Sequence, residues 1–526
     1  MKLKEIIQGC DYIEIITHNA PTSNPDAINI SGIAYDSRRV NEGNLFVAIR
    51  GEKYDGHSFI KEAIKKGAVA IIYERAVNNQ MPSTISGTDS SLCFICVRDS
   101  RKALACVANN FYGNPSKSLT MVGVTGTNGK TTTTYFIKSI IESWGRRVGL
   151  IGTIQYMINK KIYPAIHTTP EAVEFQALLR DMLSAGCTHV VAEVSSHALA
   201  QYRVDETIFN TAVFTNLTRD HLDFHGTMEN YFRAKERLFK ELLGKEGMVI
   251  INIDDQYGKR LNSEIRTQKS PFKNILTYGI ENNADIRASD INSSYQKLSF
   301  KISFRGRNYN ISSDSIGLPN VYNIMSAVGV AISLGVPWEV ICEGITKTGK
   351  IAGRFEKVDL GQGFLCIIDY AHTEDALERL IRTARELSIQ HSAIKAMPSP
   401  RVITLFGCGG DRDRGKRPTM GAIATRLSDF VIITSDNPRF EEPTDIIKEI
   451  ESGAVNKNYL IEPDRKGAIK KAIDMANDGD IILIVGKGHE DYQEIKGVRH
   501  KFSDKEVVKK VIKDKLKKNE CRIQNP

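Results

Sequence analysis

No apolar run in this chain approaches the roughly 20 residues that a membrane-spanning helix needs; Ala68–Tyr73 and Ile481–Val485 are typical of the runs it does have. The opening Met1-Lys2-Leu3-Lys4-Glu5 leads into a mixed polar segment rather than the apolar core of a secretory signal. Cysteine is sparse. Nine are scattered singly, apart from Cys93-Phe94-Ile95-Cys96, which lies in an apolar, strand-like run with no second CxxC or CxxH to complete a zinc site. Buried thiols in a reducing compartment are expected, and with them a soluble, cytoplasmic protein without a membrane partner. The sequence also lacks an internal repeat, a long low-complexity segment and a strong charge of one sign: 71 basic against 62 acidic side chains leave a net charge of +9. Much of that excess sits at Lys505–Lys518, where Val507, Val508, Ile512 and Leu516 recur at helical spacing, so the tail reads as a last helix with a solvated basic side and not as a nucleic-acid-binding arm.

What is present is ordinary for a globular protein: 41% hydrophobic and 25% charged residues exclude wholesale disorder, a collagen-like fibre and a coiled-coil rod. A length of 526 residues suggests about three domains, each able to bury a core. Strands alternate with helical stretches nearly throughout, the pattern of α/β domains with largely parallel sheets. The expected units are residues 1–115, 116–350 and 351–526, with residues 390–400 an exposed loop inside the third.

The strongest local signal is Val122-Gly123-Val124-Thr125-Gly126-Thr127-Asn128-Gly129-Lys130-Thr131-Thr132-Thr133. A β-branched strand enters a glycine-rich turn and then a helix, so backbone N–H groups can crowd around a polyphosphate at a helix N-terminus. Lys130 can reach the outer phosphates, and the Thr131 hydroxyl can ligate Mg²⁺. The strict Walker pattern places glycine where Val124 stands, so Gly126–Thr131 is a shortened variant.

Other apolar runs end in polar clusters, where open α/β sheets place ligands. His189–Ala192 delivers Glu193, then Ser195-Ser196-His197; Ala212–Thr215 delivers Asn216, Arg219, Asp220, His221 and Asp223. Glu193 and His221 are candidates to hold Mg²⁺ or Mn²⁺ beside the phosphate loop, although each also reads as a capping or surface residue. In the third unit, three strands end in Gly407–Arg414, Ser435–Arg439 and Gly486–Glu490. Arginine beside aspartate and glutamate suits a zwitterionic amino acid: the fork grips a carboxylate and the acids hold an ammonium.

Gly126–Thr133, Glu193–His197, Arg219–Asp223, Gly353-Arg354-Phe355-Glu356, Asp369-Tyr370-Ala371-His372 and Asp436-Asn437-Pro438-Arg439 together resemble the Mur ligases of peptidoglycan synthesis, and the resemblance spans nearly the whole chain. It implies an N-terminal UDP-binding α/β domain, a central P-loop ATPase-like parallel-sheet domain and a C-terminal Rossmann-like domain. It also implies an ATP-dependent ligase of the kind that adds the third peptide residue, meso-diaminopimelate, to UDP-MurNAc-L-Ala-D-Glu through an acyl phosphate, acting as a monomer. Carried over residue by residue, Ser37, Glu52, Lys53, Tyr54, Thr168, Thr169, Ser195, Gln201 and Arg203 match positions along the UDP-sugar-peptide. Gly126, Thr127, Asn128, Gly129, Lys130, Thr131, Thr132, Asn320, Arg354 and Asp369 match the ATP site. Arg412, Asp436, Asn437, Pro438, Arg439, Gly486 and Glu490 match the amino-acid pocket. Lys130, Glu193, His221 and Lys235 match catalytic positions, with Thr131, Glu193, His221 and Lys235 as metal ligands, the lysine as its carbamate. From the residues alone, Lys235 reads as an exposed helix lysine beside Glu236 and Arg237. Glu374 stands where the family usually has proline, a benign change at a helix start.

Rival readings are a lysine-adding Mur ligase, a folylpolyglutamate-type ligase, a non-catalytic scaffold descendant and a nucleotide-dependent switch. Arg439 and the UDP-sugar positions argue against the first two. Lys130, Glu193, His221 and Lys235 argue against the scaffold, and the three charged strand ends against the switch.

Overall fold

The computed structural model describes residues 1–17, 24–51, 54–74, 92–267, 274–395 and 400–524. Glu52 and Lys53 lie outside the described residues. The chain forms three sheet-containing α/β domains. In the N-terminal sheet the order is Tyr12–Thr17, Cys93–Val97, Ala70–Glu74, Asn44–Val47, Gly32–Ala34, parallel except for the first strand. Cys93 and Cys96 are buried within it as expected. One pair departs from the expectation of unpaired thiols: Cys10 and Cys106 form a disulfide with Cα atoms 5.8 Å apart, a pairing between residues 96 positions apart that local spacing does not reveal.

The central sheet has eleven strands. Its parallel centre runs Val148–Ile151, His189–Glu193, Thr120–Thr125, Phe209–Phe214, Leu243–Asn252, Ile275–Gly279 and Ile286–Ser293. Both edges continue with antiparallel strands, Gln155–Ile158 and Lys161–Pro164 on one side, Leu298–Phe304 and Arg307–Ser313 on the other. The innermost strands, such as Thr120–Thr125 and His189–Glu193, are buried nearly throughout, whereas Ile286–Ser293 at the border of the parallel part and the antiparallel Leu298–Phe304 alternate buried and exposed, as one-sided strands do. Helices Lys130–Ser143, Leu318–Ser333 and Trp338–Lys347 close one face; Ala172–Ser184 and Met228–Lys240 close the other.

The C-terminal sheet runs Glu356–Val358, Leu365–Asp369, Ile481–Val485, Val402–Phe406, Phe430–Ile433, Tyr459–Ile461, with only the first strand antiparallel. Residues 390–395, expected in a loop, instead end the helix Glu374–Lys395. Leu387 is buried, and beyond it polar contacts hold the helix: Ser388 Oγ donates to Pro400 O (2.6 Å) and the His391 ring stacks on Tyr295. The basic tail is the helix Asp504–Gln524, whose Val508 and Ile512 are fully buried. No helix among the described residues is long and apolar enough to cross a membrane.

At the start of that last helix, Asp504 is paired with Arg465, both side chains fully buried, at 2.7 Å. Arg465 also donates to the carbonyls of Ser435 (3.1 Å) and Val485 (3.0 Å), at the ends of two strands. Breaking a buried pair leaves an uncompensated charge, a cost of about 3–5 kcal/mol. Asp504→Ala is therefore expected to lower the unfolding free energy of the C-terminal domain by that order, and Arg465→Met with Asp504→Leu to recover much of it. Chemical denaturation of the two variants checks this.

Candidate functional site

The strand Thr120–Thr125 ends in a turn that only glycine makes easily. Gly126 has φ +144° and Gly129 +86°; a Cβ on the first would run into Thr215 Oγ1, and on the second into Asn323 Oδ1. The helix Lys130–Ser143 follows, presenting its free N–H groups to the turn. Lys130 Nζ folds back onto the carbonyls of Gly126 (2.9 Å) and Thr127 (2.8 Å). Burial, with a smaller contribution from the Arg354 charge, holds its ammonium below the usual lysine range.

Lys235 is not the exposed helix lysine that the residues alone suggest. It is 1% exposed, and its Nζ donates to the same Gly126 carbonyl at 2.9 Å while lying 4.6 Å from the centre of the Tyr231 ring. Burial and then the neighbouring Lys130 push its pKa far down, which favours the neutral amine. The amphipathic stripe of Met228–Lys240 carries the explanation: Tyr231, Phe232, Lys235, Leu238 and Phe239 share the inward face.

Glu193, fully buried at the end of its strand, accepts from Thr131 Oγ1 (3.0 Å), Thr153 N (2.8 Å) and Thr153 Oγ1 (3.0 Å). It therefore faces the first turn of the phosphate-loop helix. His221 opens the short helix Leu222–His225 at φ +54°. Burial outweighs the pull of Asp220 and brings its pKa down to about 3, so the imidazole is neutral, with Nε2 3.3 Å from Asp220 Oδ2. Among the described residues no group of three or more His, Cys, Asp and Glu is arranged to hold a metal ion. The Thr131 hydroxyl and the Glu193 carboxylate are in contact, and His221 lines the same cavity.

These groups line a cavity of about 720 Å³ between the central and C-terminal domains. Asn128, Lys130, Thr131, Thr132 and Asn320 of the central domain line it together with Arg354 and Asp369 of the C-terminal domain. Arg354 NH2 donates to Thr131 Oγ1 across the interface at 3.2 Å; its Nε is buried and finds no partner among the described residues. A guanidinium with a donor to spare above a phosphate loop suits an anion. Asp369 accepts from Phe355 N (2.6 Å) and Ala371 N (2.8 Å), and burial raises its pKa. Asn320 anchors to Ile316 O at 2.8 Å.

Thr168 reaches the cavity through Thr153 Oγ1 (3.0 Å). Thr169 Oγ1 donates to Glu193 O (2.7 Å) and accepts from Ser195 N (3.1 Å). Arg203 donates to Gln201 Oε1 (2.6 Å) and Thr169 O (3.1 Å) and pairs with Glu171 at 2.8 Å. These residues form one polar track. Ser37 lies away from it in the N-terminal domain, its hydroxyl donating to Glu62 Oε2 (3.1 Å), and Tyr54 is 75% exposed.

The third cluster forms at the C-terminal strand ends. Asp436, Asn437 and Pro438 are buried and Gly486 packs against Asp436. Asn437 Nδ2 donates to Glu490 Oε2 at 2.8 Å. Arg439, at φ +50°, donates to Gly410 O (2.6 Å) and lies 3.7 Å from Glu494. Arg412 is exposed at the rim. Sequence reasoning missed Lys487, fully buried between Asn437 and Glu490, and Asp375, which accepts from the phosphate-loop Asn128 at 2.9 Å. A lysine flanked by glycines at a strand end was the available signal for the first; the second, a contact between domains, left none.

Three family models match in order: the Mur ligase family catalytic domain over residues 29–112, the Mur ligase middle domain over 124–331, and the Mur ligase glutamate ligase domain over 353–488. Proteins named UDP-N-acetylmuramoyl-L-alanyl-D-glutamate–2,6-diaminopimelate ligase are similar along nearly their full length. That of Solibacter usitatus (strain Ellin6076) is 45% identical, covering 92% of this chain and 94% of its own; that of Clostridium tetani (strain Massachusetts / E88) is 42% identical, covering 98% and 100%. A solved structure of a ligase of that name is 32% identical, covers 98% of this chain and 99% of its own, and superposes with a TM-score of 0.66. A MurF ligase from Thermotoga maritima, solved in complex with ADP, shares the fold at 22% identity, covering 93% of this chain and 98% of its own, with a TM-score of 0.61. With its phosphate loop, its buried lysine and its three matched domains, the chain belongs to the Mur ligase family.

Proposed function

We propose that this chain is an ATP-dependent amide ligase that joins meso-diaminopimelate to the D-glutamyl γ-carboxylate of UDP-MurNAc-L-Ala-D-Glu, giving the UDP-MurNAc-tripeptide, ADP and phosphate. The observation that carries the reading is the cavity lined jointly by the phosphate loop and by Arg354, Asp369 and Tyr370 of the C-terminal domain. Arg439 and Glu490 do not line it; their strand-end cluster adjoins it through Tyr370, whose ring lies 5.1 Å from that of His489, and in this reading the amine comes from that side.

A carboxylate does not condense with an amine at neutral pH unactivated. The γ-phosphoryl group passes to a carboxylate oxygen and ADP leaves. The amine nitrogen then attacks the acyl carbon, phosphate departs, and the nitrogen loses a proton. Two anions must first be held together, so positioning and charge neutralisation dominate. Lys130 and Arg354 bring the positive charge; the Thr168, Thr169, Ser195, Gln201 and Arg203 track orients the peptide.

The donor set fits a divalent cation. Thr131 Oγ1 and Glu193 supply hard oxygens and His221 a neutral imidazole, and Mg²⁺ ordinarily completes its shell with phosphate oxygens and water. When bound, Mg²⁺ or Mn²⁺ would screen the phosphate charges. Lys235 suits carbamylation: its neutral amine would attack CO₂, forming a nitrogen–carbon bond and releasing one proton, so that an anionic oxygen would replace an uncharged nitrogen as a donor to a cation.

Phosphate release from ATP with UDP-MurNAc-L-Ala-D-Glu is expected with meso-diaminopimelate and not with L-lysine; equal kcat/KM for both would sink the specificity reading. Arg439→Ala, removing the partner of the second carboxylate, is expected to cost about 2–5 kcal/mol in kcat/KM for diaminopimelate, read from initial rates. Lys235→Ala is expected to abolish turnover without rescue by bicarbonate. Near-normal activity of that variant would refute the carbamate role.

A further inference from the structure

The fully buried Lys487 lies in the strand-end cluster, but no substrate contact assigns it a role. Its Nζ is 3.0 Å from Glu490 Oε2 and 3.0 Å from Asn437 Oδ1, and 5.5 Å from the centre of the Tyr492 ring. Asn437 is the hub: its Oδ1 also accepts from Glu494 N (3.0 Å), while its Nδ2 donates to Glu490 Oε2 (2.8 Å). Lys487 thereby does two things. It fixes which way the Asn437 amide faces, since an ammonium can only donate, and it occupies Glu490 Oε2, leaving Oε1 for a ligand ammonium.

The charge balance gives this arrangement a consequence. Arg412, Arg439 and Lys487 stand against Asp436, Glu490 and Glu494, with Arg439 beside Glu494 and Lys487 beside Glu490, so the cluster carries no net charge. Without Lys487 it carries one negative charge. The end of diaminopimelate remote from the new bond is a zwitterion with no net charge; the same end of L-lysine is a bare ammonium. An additional negative charge penalises the zwitterion's carboxylate and rewards the ammonium.

We propose that Lys487 is a positioning and specificity-setting residue of the amino-acid pocket, tuning it to an uncharged zwitterionic end by neutralising Glu490 and orienting Asn437. The proposal rests on the functional reading above.

The test is steady-state kinetics of wild type and Lys487→Met, with L-lysine as a competitor of diaminopimelate. In the variant KM for diaminopimelate rises at least tenfold, while KM for ATP and for UDP-MurNAc-L-Ala-D-Glu stays within twofold. The ratio of KM for diaminopimelate to the inhibition constant of L-lysine also rises at least tenfold, a change that mere loosening of the pocket would not produce. An unchanged KM for diaminopimelate, or equal weakening of both amino acids, overturns the proposal. Should Lys487→Met not fold, Lys487→Met with Glu490→Gln leaves no buried unpaired charge. Its KM for diaminopimelate matches that of Glu490→Gln alone if Lys487 acts through Glu490, and exceeds it severalfold if it does not. Absence of wild-type turnover with diaminopimelate would sink the functional reading and this inference together; normal wild-type turnover with an unaltered variant sinks this inference alone.

Discussion

Two buried lysines donate to one carbonyl oxygen, and the arrangement around the phosphate loop follows from that. Lys130 and Lys235 both sit 2.9 Å from Gly126 O, in a place where desolvation already disfavours charge and each ammonium would repel the other. Such a pair persists with both charged only if something anionic is near. Glu193 supports Lys130, and Asp220 acts weakly on both; Lys235 is left as the one driven neutral. Its helix is held in rotation by an ion-pair network with the next helix, Gln256–Thr267: Arg233 with Glu264 (2.8 Å), Arg260 with Glu229 (2.6 Å), Lys240 with Glu264 (3.1 Å). Single surface pairs contribute little, but a connected set sharing side chains loses less entropy per contact. Here it keeps the apolar stripe, with Lys235 in it, turned inward.

Polar contacts join the central and C-terminal domains near the phosphate loop: Asn128 with Asp375, Arg354 with Thr131, Arg219 with Asp413 at 3.9 Å. Elsewhere the interface is apolar, with Ile316 and Tyr295 of the central domain packed into the core of the third, so only the polar part exchanges readily with water. The first two involve the phosphate loop and the start of its helix, so the groups that would meet a nucleotide are also those that meet the third domain. Closure and nucleotide binding are thus written on the same side chains.

Much of this was legible in the sequence because local physics carries it. The phosphate loop is contiguous, its glycines demanded by positive φ, and the strand ends announced themselves as apolar runs breaking into charge. The innermost parallel strands of the second sheet followed from unbroken apolar runs; the parallel Ile286–Ser293 and the antiparallel edges were hidden because an alternating strand gives no hint of which sheet it joins. Lys235 misled, since Glu236 and Arg237 beside it look like a solvated face, yet Glu236 is itself buried, paired with Arg233 and Lys240, and only the i, i+3, i+4 pattern shows which side is inside. The Cys10–Cys106 pair and the Asn128–Asp375 contact join residues far apart in sequence, where no local rule reaches.

The Arg465–Asp504 pair shows why a buried ion pair persists although an apolar pair of similar size is often at least as stable. Its donors go to the carbonyls of Ser435 and Val485, the residues immediately before Asp436 and Gly486. Leucine and methionine could fill that space, but they could not hold two strand-end carbonyls at fixed separation. The spacing of the amino-acid pocket is therefore set from behind by the last helix, through one guanidinium that reaches both strands. The same logic recurs at Lys487, one layer nearer the pocket, where a buried charge orients Asn437 and Glu490. In this domain buried charge is used for geometry, and the hydrophobic faces around it supply the stability that makes the expense tolerable.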